Sequence, residues 1–420
     1  MNLTATLAVA LALISFGLVS KKLEGSVLTG PMLFSIFGFV AGPALLGVVP
    51  LHVSNDAVHL LAEVTLILVL FSDAANIDLV QLRRDHNLPV RMLVFGMPLT
   101  IVLGAAAALL LFDALSIWEA ALLAAILVPT DAALGQAVVS NRLVPVRIRQ
   151  ALNVESGLND GIALPFVLIF AAFASAMQAD TNAAEWIVFA GKQVILGPLA
   201  GMAVGYVGAK LVAACYRSDW MSETAEGMIA LGIAFGAFAL AETIHGNGFI
   251  AAFVAGLAFG NTLQHQCKFL YEFAESEGQI LVLLTFTVFG AAMLPQAMGE
   301  ISISHVVYAI AALTVLRMLP VHLSLIGTGV KPVTSAFLGW FGPRGLASVL
   351  FVLLILDEAE VVHDTILFSV VIFTVAVSVI LHGVTAGPAA RRYGEMSREM
   401  GECAENMPVS EEPFSQPVKR

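Results

Sequence analysis

Five ionisable side chains fall inside strongly apolar stretches of the sequence: Asp131, Glu155, Asp160, Arg317 and Arg344. A charged group at the centre of a membrane costs roughly 2.5–3.5 kcal/mol on insertion scales, so such residues are rare there and mark a partner or a transport function. A buried carboxylate can hold either a proton or a cation. Asp131, Glu155 and Asp160 are therefore the candidate carriers of a transported ion.

The segment from Glu155 to Asp160 predicts one polar helix face. Residues four positions apart lie on the same side of a helix, so Glu155 aligns with Asn159, and Ser156 with Asp160, in two neighbouring stripes. Carboxylate, carbonyl and hydroxyl oxygens suit hard cations, and the sequence has no His or Cys cluster that favours a transition metal. The face predicts a site for a hard cation.

Two short segments are expected to interrupt apolar helices, at Pro129-Thr130-Asp131 and at Gly342-Pro343-Arg344-Gly345. Proline removes a backbone donor, and unpaired backbone at membrane depth survives only inside protein or beside a cavity. The gaps would place oxygens of Thr130, the Asp131 carboxylate and the Arg344 guanidinium opposite the polar face. Two ordinary proline kinks are the alternative, but the matched positions and adjacent charges favour a site.

The composition excludes a soluble fold. Of the 420 residues, 59% are hydrophobic and 12% charged, with a mean hydropathy of +0.90, against roughly 45–50% apolar and 25% charged in soluble domains. The net charge of -11 comes from acids scattered through loops, so nucleic-acid binding has no support. About 20 apolar residues span a bilayer, and dividing the chain at polar, Gly and Pro clusters predicts thirteen spans. They are 3–20, 27–49, 57–73, 90–112, 117–139, 151–177, 186–214, 225–243, 247–265, 277–297, 304–328, 334–356 and 363–386.

The basic residues predict the orientation of these spans. All but Lys192, Arg317 and Arg344 of the 20 Lys and Arg residues follow odd-numbered spans, and cytoplasmic loops collect Lys and Arg. The N-terminus is expected outside and the C-terminus in the cytoplasm of an inner-membrane protein. No phosphate-cradling loop appears, so ATP-driven transport is not expected, and no cofactor is predicted.

An odd number of spans suits two halves of opposite orientation, spans 1–6 and 8–13, joined through span 7. Repeats of this type place the transport site near the midplane, where helices are interrupted. The two breaks fall in spans 5 and 12, which are counterparts in this scheme. The predicted fold class is an all-α membrane protein with two inverted repeats and broken, crossing helices.

These motifs resemble the signature regions of NhaP-type sodium/proton antiporters in the monovalent cation:proton antiporter superfamily. The matching segments are Pro129-Thr-Asp131, Glu155-Ser-Gly-Leu-Asn-Asp160-Gly, and Phe341-Gly-Pro-Arg344-Gly. The resemblance implies a homodimer that serves pH homeostasis, with scaffold helices at 1–89 and 178–303, a moving ion-binding core at 90–177 and 304–386, and a cytoplasmic tail at 387–420. It also implies that Asp160 binds the ion, that Ser156, Thr130, Asp131 and Glu155 surround it, and that Arg344 pairs with Glu155 and contacts Asn159.

A carboxylate that holds a proton or a cation, but not both, exchanges the two if the protein reorients only when that carboxylate is neutralised. Asn159 cannot ionise and Glu155 is expected to be neutralised by Arg344. The net charge of Asp160 with its bound ion is then zero with either a proton or a monovalent cation. This predicts electroneutral exchange by alternating access. Arg344 could instead repel cations, but the cost of an unpaired buried charge favours pairing.

Other functions and residues fit the pattern less well. A sodium-coupled symporter for an organic solute would need a roomier, more aromatic pocket, and a channel or membrane sensor would need a continuous polar stripe. Sodium is the expected cation, with lithium and potassium as alternatives, and no enzymatic activity is predicted. Arg317 is expected to be structural, and polar packing is preferred to pH sensing for Glu63, Asp73, Glu242, His245 and His322.

Overall fold

The computed structural model describes residues 3–23, 26–84, 87–176, 183–222, 225–263, 277–358, 361–401 and 403–406. Every regular element within these ranges is a helix, which confirms the predicted all-α class. The predicted domain boundary at residue 178, and the predicted tail beyond Asn406, lie outside the described residues.

The helices follow the order of the predicted spans. They are α1 Leu3–Leu23, α2 Gly30–Ala41, α3 Asp56–Ala75, α4 Leu79–Arg84, α5 Asn87–Arg91, α6 Met97–Leu111, α7 Ile117–Ile126, α8 Ala132–Val139, α9 Val146–Ala176, α10 Ala183–Arg217, α11 Ala225–Thr243, α12 Gly248–Leu263, α13 Glu277–Val288, α14 Leu294–Met298, α15 Ile303–Leu313, α16 Val315–Ser324, α17 Pro332–Trp340, α18 Leu346–Glu358 and α19 Asp364–Glu399. Single π-helical turns at Met92–Gly96 and Phe289–Met293 join α5 to α6 and α13 to α14.

Within the described ranges, eight helical segments are long and apolar enough to cross a membrane, and five shorter apolar helices accompany them. Each predicted span overlaps one of the helices. Both predicted breaks are present, because the fifth span is divided into α7 and α8 and the twelfth into α17 and α18.

Small residues allow α10, α12 and α3 to pack closely. A Cβ on Gly201 or Gly205 of α10 would lie 2.3–2.4 Å from the carbonyl oxygens of Ala251 and Ala255 of α12. On the other side of α12, Gly256 approaches the backbone of α3 in the same way. Within a bilayer, helices associate largely through such backbone approach. These three helices therefore form a rigid unit beside the broken helices.

The last helix is longer than predicted. We expect a span that ends at residue 386, but α19 continues to Glu399. Ala390, Tyr393, Gly394 and Ser397 are buried at helical spacing along this extension, and a Cβ on Gly394 would lie 2.6 Å from the Cβ of Leu143. Hydropathy ended the span at the charged residues that follow, although one face of the helix still packs.

The chain then folds back against the start of α17. The short 3₁₀ turn Ala404–Asn406 places the fully buried Glu405 so that Oε1 accepts hydrogen bonds from the backbone N–H of Lys331 (2.6 Å) and from Thr334 Oγ1 (2.8 Å). Arg147 of α9 donates to the carbonyl of Ala404. Burial alone raises the pKa of the Glu405 carboxyl, but these bonds, together with one from Cys403, hold that pKa below its ordinary value.

Replacing Glu405 by Gln should lower the free energy of unfolding by about 1–2 kcal/mol near neutral pH, because bonds to a charged acceptor become neutral ones. A carboxyl whose pKa is lowered on folding contributes stability above its ordinary pKa of 4.5 and loses that contribution as the pH falls below it. In thermal unfolding of the purified protein, the difference between native protein and variant should therefore stay constant from about pH 7 to about pH 5 and shrink as the pH falls below about 4.5. Glu395→Gln, exposed on α19, is the control. A difference that grows on acidification would contradict this account.

Candidate ion-binding site

Arg344 holds the two broken helices together. This side chain is 1% exposed, and its Nη1 donates to the carbonyl of Val128 at 2.8 Å and to that of Pro129 at 3.4 Å. Both carbonyls lie beyond the end of α7, so they have no N–H donor within that helix. The backbone N–H of Arg344 donates to Ser378 Oγ at 2.7 Å. The guanidinium thus satisfies the backbone that the first break leaves unpaired.

Asp131 connects the same two breaks from the other side. Its N–H donates to the carbonyl of Pro343 (2.8 Å), and its Oδ2 accepts from the N–H of Leu346 (2.8 Å). Its Oδ1 accepts from Leu134 N–H at 3.4 Å. The carboxylate therefore lies at the N-terminal ends of α8 and α18, where negative charge is favoured. A Cβ on Gly345 would lie 2.0 Å from Oδ2, so glycine is required there.

Thr130, next to Asp131 in the first break, contacts the polar face of α9. Ser156 Oγ donates to the carbonyl of Thr130 at 2.5 Å, and Asn159 Nδ2 donates to Thr130 Oγ1 at 2.6 Å. The hydroxyls of Thr130 and Ser156 are 3.4 Å apart. All three residues are buried. The structure thus brings together the break in the fifth span and the predicted polar face.

Two oxygens at this point have no hydrogen-bond partner within the described part of the chain: Oδ1 of Asp160 and Oδ1 of Asn159. Asp160 is 6% exposed. The ring of Phe253 lies against the next residue, where a Cβ on Gly161 would come within 2.4 Å of it. Leaving buried acceptors unpaired is costly. These oxygens, with the hydroxyls of Thr130 and Ser156, are suitable ligands for a hard cation.

Glu155 is paired with Arg317, and the expected pairing with Arg344 is wrong. Arg317 Nη2 lies 2.5 Å from Glu155 Oε1, and both side chains are almost completely buried. Arg317 also packs against Gly342, since a Cβ on Gly342 would lie 2.6 Å from Arg317 Nε. The sequence does not distinguish the two arginines, because each lies in an apolar segment far from Glu155 along the chain. Asn159 likewise contacts Thr130, while Arg344 bonds to the carbonyls of the first break.

Asp73 of α3, for which the sequence favoured polar packing, lies next to this site. Its charge and those of Asp131 and Asp160 lie close enough to interact, and its backbone carbonyl would lie 3.7 Å from a Cβ on Gly157 of α9. The one signal for Asp73 in the sequence was the presence of an acidic residue inside an apolar span. Only the packing of α3 against α9 shows that it reaches the site.

Other polar residues singled out in the sequence lie elsewhere and have structural contacts. Glu242 Oε1 accepts from the N–H of Gly248 at 2.8 Å, at the start of α12. His322 Nδ1 lies 2.8 Å from Ser335 Oγ, between α16 and α17. His245 has a positive φ of 61° in the turn before α12. These contacts support the preference for polar packing.

The family model described as "Sodium/hydrogen exchanger, transmembrane" matches residues 7–392. The Na(+)/H(+) antiporter NhaP of Pseudomonas aeruginosa is 29% identical over 363 residues, which cover 80% of this chain and 82% of that protein. The K(+)/H(+) antiporter NhaP of Alkalimonas amylolytica is 27% identical over 398 residues, which cover 93% of this chain and 67% of that protein. The K(+)/H(+) antiporter NhaP2 of Shewanella sp. (strain MR-4) is 24% identical, with 89% of this chain and 63% of that protein covered. The chain thus spans about two thirds of the length of these potassium/proton antiporters.

The fold is also similar to a solved structure. The sodium proton antiporter MjNhaP1 from Methanocaldococcus jannaschii at pH 8 aligns with a TM-score of 0.75 and 19% sequence identity, covering 96% of this chain and 100% of that chain. The similarity shows that the two proteins share a fold.

Arg317→Met should destabilise the protein by about 3–5 kcal/mol, because it leaves the buried Glu155 carboxylate without its partner. The double variant Glu155→Gln, Arg317→Met removes both charges and should recover most of that loss. The yield and melting temperature of the protein purified in detergent measure both effects. Arg398→Met, exposed near the end of α19, is the control. A double variant no more stable than Arg317→Met alone would show that the pair does not determine the stability.

Proposed function

The chain belongs to the transmembrane sodium/hydrogen exchanger family, whose members are cation:proton antiporters and not enzymes, and we propose that it exchanges a monovalent cation for protons at Asp160. The observation that carries the proposal is the buried Asp160 carboxylate, whose Oδ1 lacks a hydrogen-bond partner within the described residues, beside the crossing of two broken helices. Sodium-coupled symport, the alternative considered from sequence, is not favoured by this membership.

Competition for one carboxylate is the proposed mechanism. Asp160 is neutralised by a proton or by a cation, and the oxygens of Asn159, Thr130 and Ser156 complete the cation site. Because an ionised carboxylate is costly to move through a dry interface, only a neutralised Asp160 changes its access from one side of the membrane to the other. The two ions therefore cross in opposite directions in separate steps.

Asp131 and Glu155 have supporting roles in this proposal. The carboxylate oxygens of Asp131 accept backbone bonds at the ends of α8 and α18, and Glu155 is held by Arg317. Asp131 therefore acts on the cation through its charge, while direct ligation comes from the residues on α9 and from Thr130. Asp73 adds a second negative charge from α3.

The core and the scaffold predicted from the sequence are retained as part of the proposal. The close glycine packing of α10, α12 and α3 supports a rigid scaffold at 1–89 and 178–303, and the linked breaks support a core at 90–177 and 304–386. A homodimer in an inner membrane, with the N-terminus outside and the C-terminus in the cytoplasm, completes the arrangement.

Sodium is the proposed cation. The relative named as a sodium/proton antiporter is 29% identical and is covered over 82% of its length, whereas the potassium/proton antiporters named above have 24–27% identity and 63–67% coverage. Potassium and lithium are the other cations to be tested, because size selectivity depends on the geometry of the bound site.

Exchange of one cation for one proton is expected to be electroneutral. Asn159 carries no charge, and the pair of Glu155 with Arg317 is neutral in place of the expected pair with Arg344. Asp73 lies on the proposed scaffold, so its charge stays in place while Asp160 moves. The net charge that moves with Asp160 is then the same whether a proton or a monovalent cation is bound.

Asp160→Asn should abolish cation-dependent collapse of a proton gradient in everted vesicles, because an amide cannot exchange a proton for a cation. Asp73→Asn should retain exchange but raise the half-maximal sodium concentration several-fold, since it removes a nearby negative charge. Asp113→Asn, an exposed acid at the end of α6, is the matched control. If Asp160→Asn dissipates the gradient as the native protein does, Asp160 is not the carrier.

The transport rate of the native protein in proteoliposomes should not change when a membrane potential of either sign is imposed. A one-for-one exchange moves no net charge, so the potential does no work on the cycle. Sodium uptake measured with and without an imposed potassium diffusion potential tests this. A rate that follows the sign of the potential, with a net current, would overturn the one-for-one stoichiometry.

A further inference from the structure

His382 of α19 is a buried imidazole for which the transport mechanism gives no role. It is 1% exposed. Its Nε2 lies 3.0 Å from the carbonyl oxygen of Trp340, and its Nδ1 lies 3.1 Å from Ser378 Oγ, one turn earlier in α19. The same Ser378 hydroxyl oxygen accepts the backbone N–H of Arg344 at 2.7 Å. His382 therefore contacts the end of α17 directly and the backbone of the break through Ser378.

The carbonyl that His382 reaches needs a partner. Trp340 is the last residue of α17, and the final carbonyls of a helix have no donor within that helix. Inside a membrane protein, water cannot replace such a donor at a buried position. The indole Nε1 of Trp340 also donates to Thr385 Oγ1 of α19 at 3.1 Å. One face of α19 thus holds the end of α17 by both its backbone and its side chain.

One neutral tautomer of the imidazole satisfies these contacts best. The carbonyl of Trp340 can only accept, so Nε2 carries a proton. Nδ1 lies 3.1 Å from both the hydroxyl and the backbone carbonyl of Ser378. Without a proton, Nδ1 accepts from the hydroxyl, which in turn accepts from Arg344 N–H. A doubly protonated, cationic ring would be desolvated and close to the Arg344 guanidinium, which disfavours it. The hydrogen bonds therefore form a continuous chain from Arg344 N–H through Ser378 and His382 to Trp340.

The arrangement parallels the one on α9. In the predicted repeats, α9 and α19 are counterparts, and each follows the broken helix that it contacts. Ser156 and Asn159 hold Thr130 in the first break, as Ser378 and His382 hold Arg344 and Trp340 in the second. On α9, oxygens of Asn159 and Asp160 remain without partners among the described residues. On α19, by contrast, both nitrogens of the His382 imidazole have contacts.

We propose that His382 is a positioning residue that, as a neutral imidazole protonated at Nε2, fixes the C-terminal end of α17 and the backbone of Arg344. Arg344 in turn holds the carbonyls of Val128 and Pro129, next to Thr130. His382 therefore sets the position of Thr130 relative to Asp160 through Arg344, without contacting the ion. This inference rests on the proposed exchange at Asp160.

The test compares His382→Gln with His382→Leu in proteoliposomes, with sodium-driven proton movement as the readout. Glutamine keeps an N–H donor near the Trp340 carbonyl, and leucine keeps the volume without a donor. We expect His382→Leu to raise the apparent KM for sodium about tenfold, the effect of a lost buried hydrogen bond, and His382→Gln to stay within about threefold of the native value. The measurement is made on the folded, monodisperse fraction of each protein.

Two serine variants on the same helix complete the design. Ser378→Ala breaks the chain between His382 and Arg344 and should also raise the apparent KM. Ser369→Ala, whose buried hydroxyl contacts His305 and the carbonyl of Thr365 away from the crossing, should not. If His382→Leu does not fold, Ser378→Ala decides the question.

The outcomes separate this inference from the proposed function. Native protein in which neither sodium, potassium nor lithium drives proton movement would overturn the exchange at Asp160. Native exchange with an unchanged apparent KM in both His382→Leu and Ser378→Ala would overturn the positioning role alone. A lower melting temperature with an unchanged apparent KM would also count against it, because it would show a purely structural contribution.

Discussion

The peptide groups released at the two helix breaks are the constraint on which the rest of this structure depends. Breaking a helix at membrane depth leaves carbonyls and N–H groups that lipid cannot satisfy. Arg344 provides donors for the carbonyls of Val128 and Pro129, and Asp131 accepts from the N-terminal end of α18. A positive side chain thus lies at carbonyl ends and a negative one at N–H ends, as the helix dipoles favour. These two charged side chains stabilise the crossing by hydrogen bonding to its unpaired backbone groups.

The contacts of the other acids in the site explain why Asp160 is the one available for the proposed exchange. Asp131 is occupied at two helix ends and Glu155 is paired with Arg317. Among the described side-chain oxygens of the site, Oδ1 of Asp160 and Oδ1 of Asn159 are buried without a hydrogen-bond partner. In the proposed exchange, a cation or a proton at Asp160 provides the partner that these oxygens lack within the described part of the protein.

Glycines on α9 shape its contact with the neighbouring helices. Gly157 and Gly161, one turn apart, leave room for the backbone of α3 at Asp73 and for the ring of Phe253 on α12. Glycines of α10 and α12 bring α10, α12 and α3 together through their backbones. The proposed boundary between a moving core and a fixed scaffold runs along α9, beside these three helices.

The sequence by itself determined the all-helical class, the order of the apolar helices and the two breaks, and it singled out Asp160 as the predicted carrier. Each of these depends on local composition: a bilayer requires long apolar segments, proline interrupts a helix where it occurs, and a lone acid in such a segment is costly wherever the chain folds. The extension of α19 to Glu399 was missed because hydropathy does not detect a helix face that packs on protein instead of lipid.

Only the tertiary structure decided which charges meet. Arg317 and Arg344 lie in similar apolar surroundings, and their roles were exchanged between prediction and structure, because pairing depends on contacts between helices more than 150 residues apart. Asp73 joined the site for the same reason, through the packing of α3 on α9, and His382 gained its partners only when α19 crossed the end of α17. Local sequence shows that a buried charge needs a partner, whereas the fold alone determines which partner is within reach.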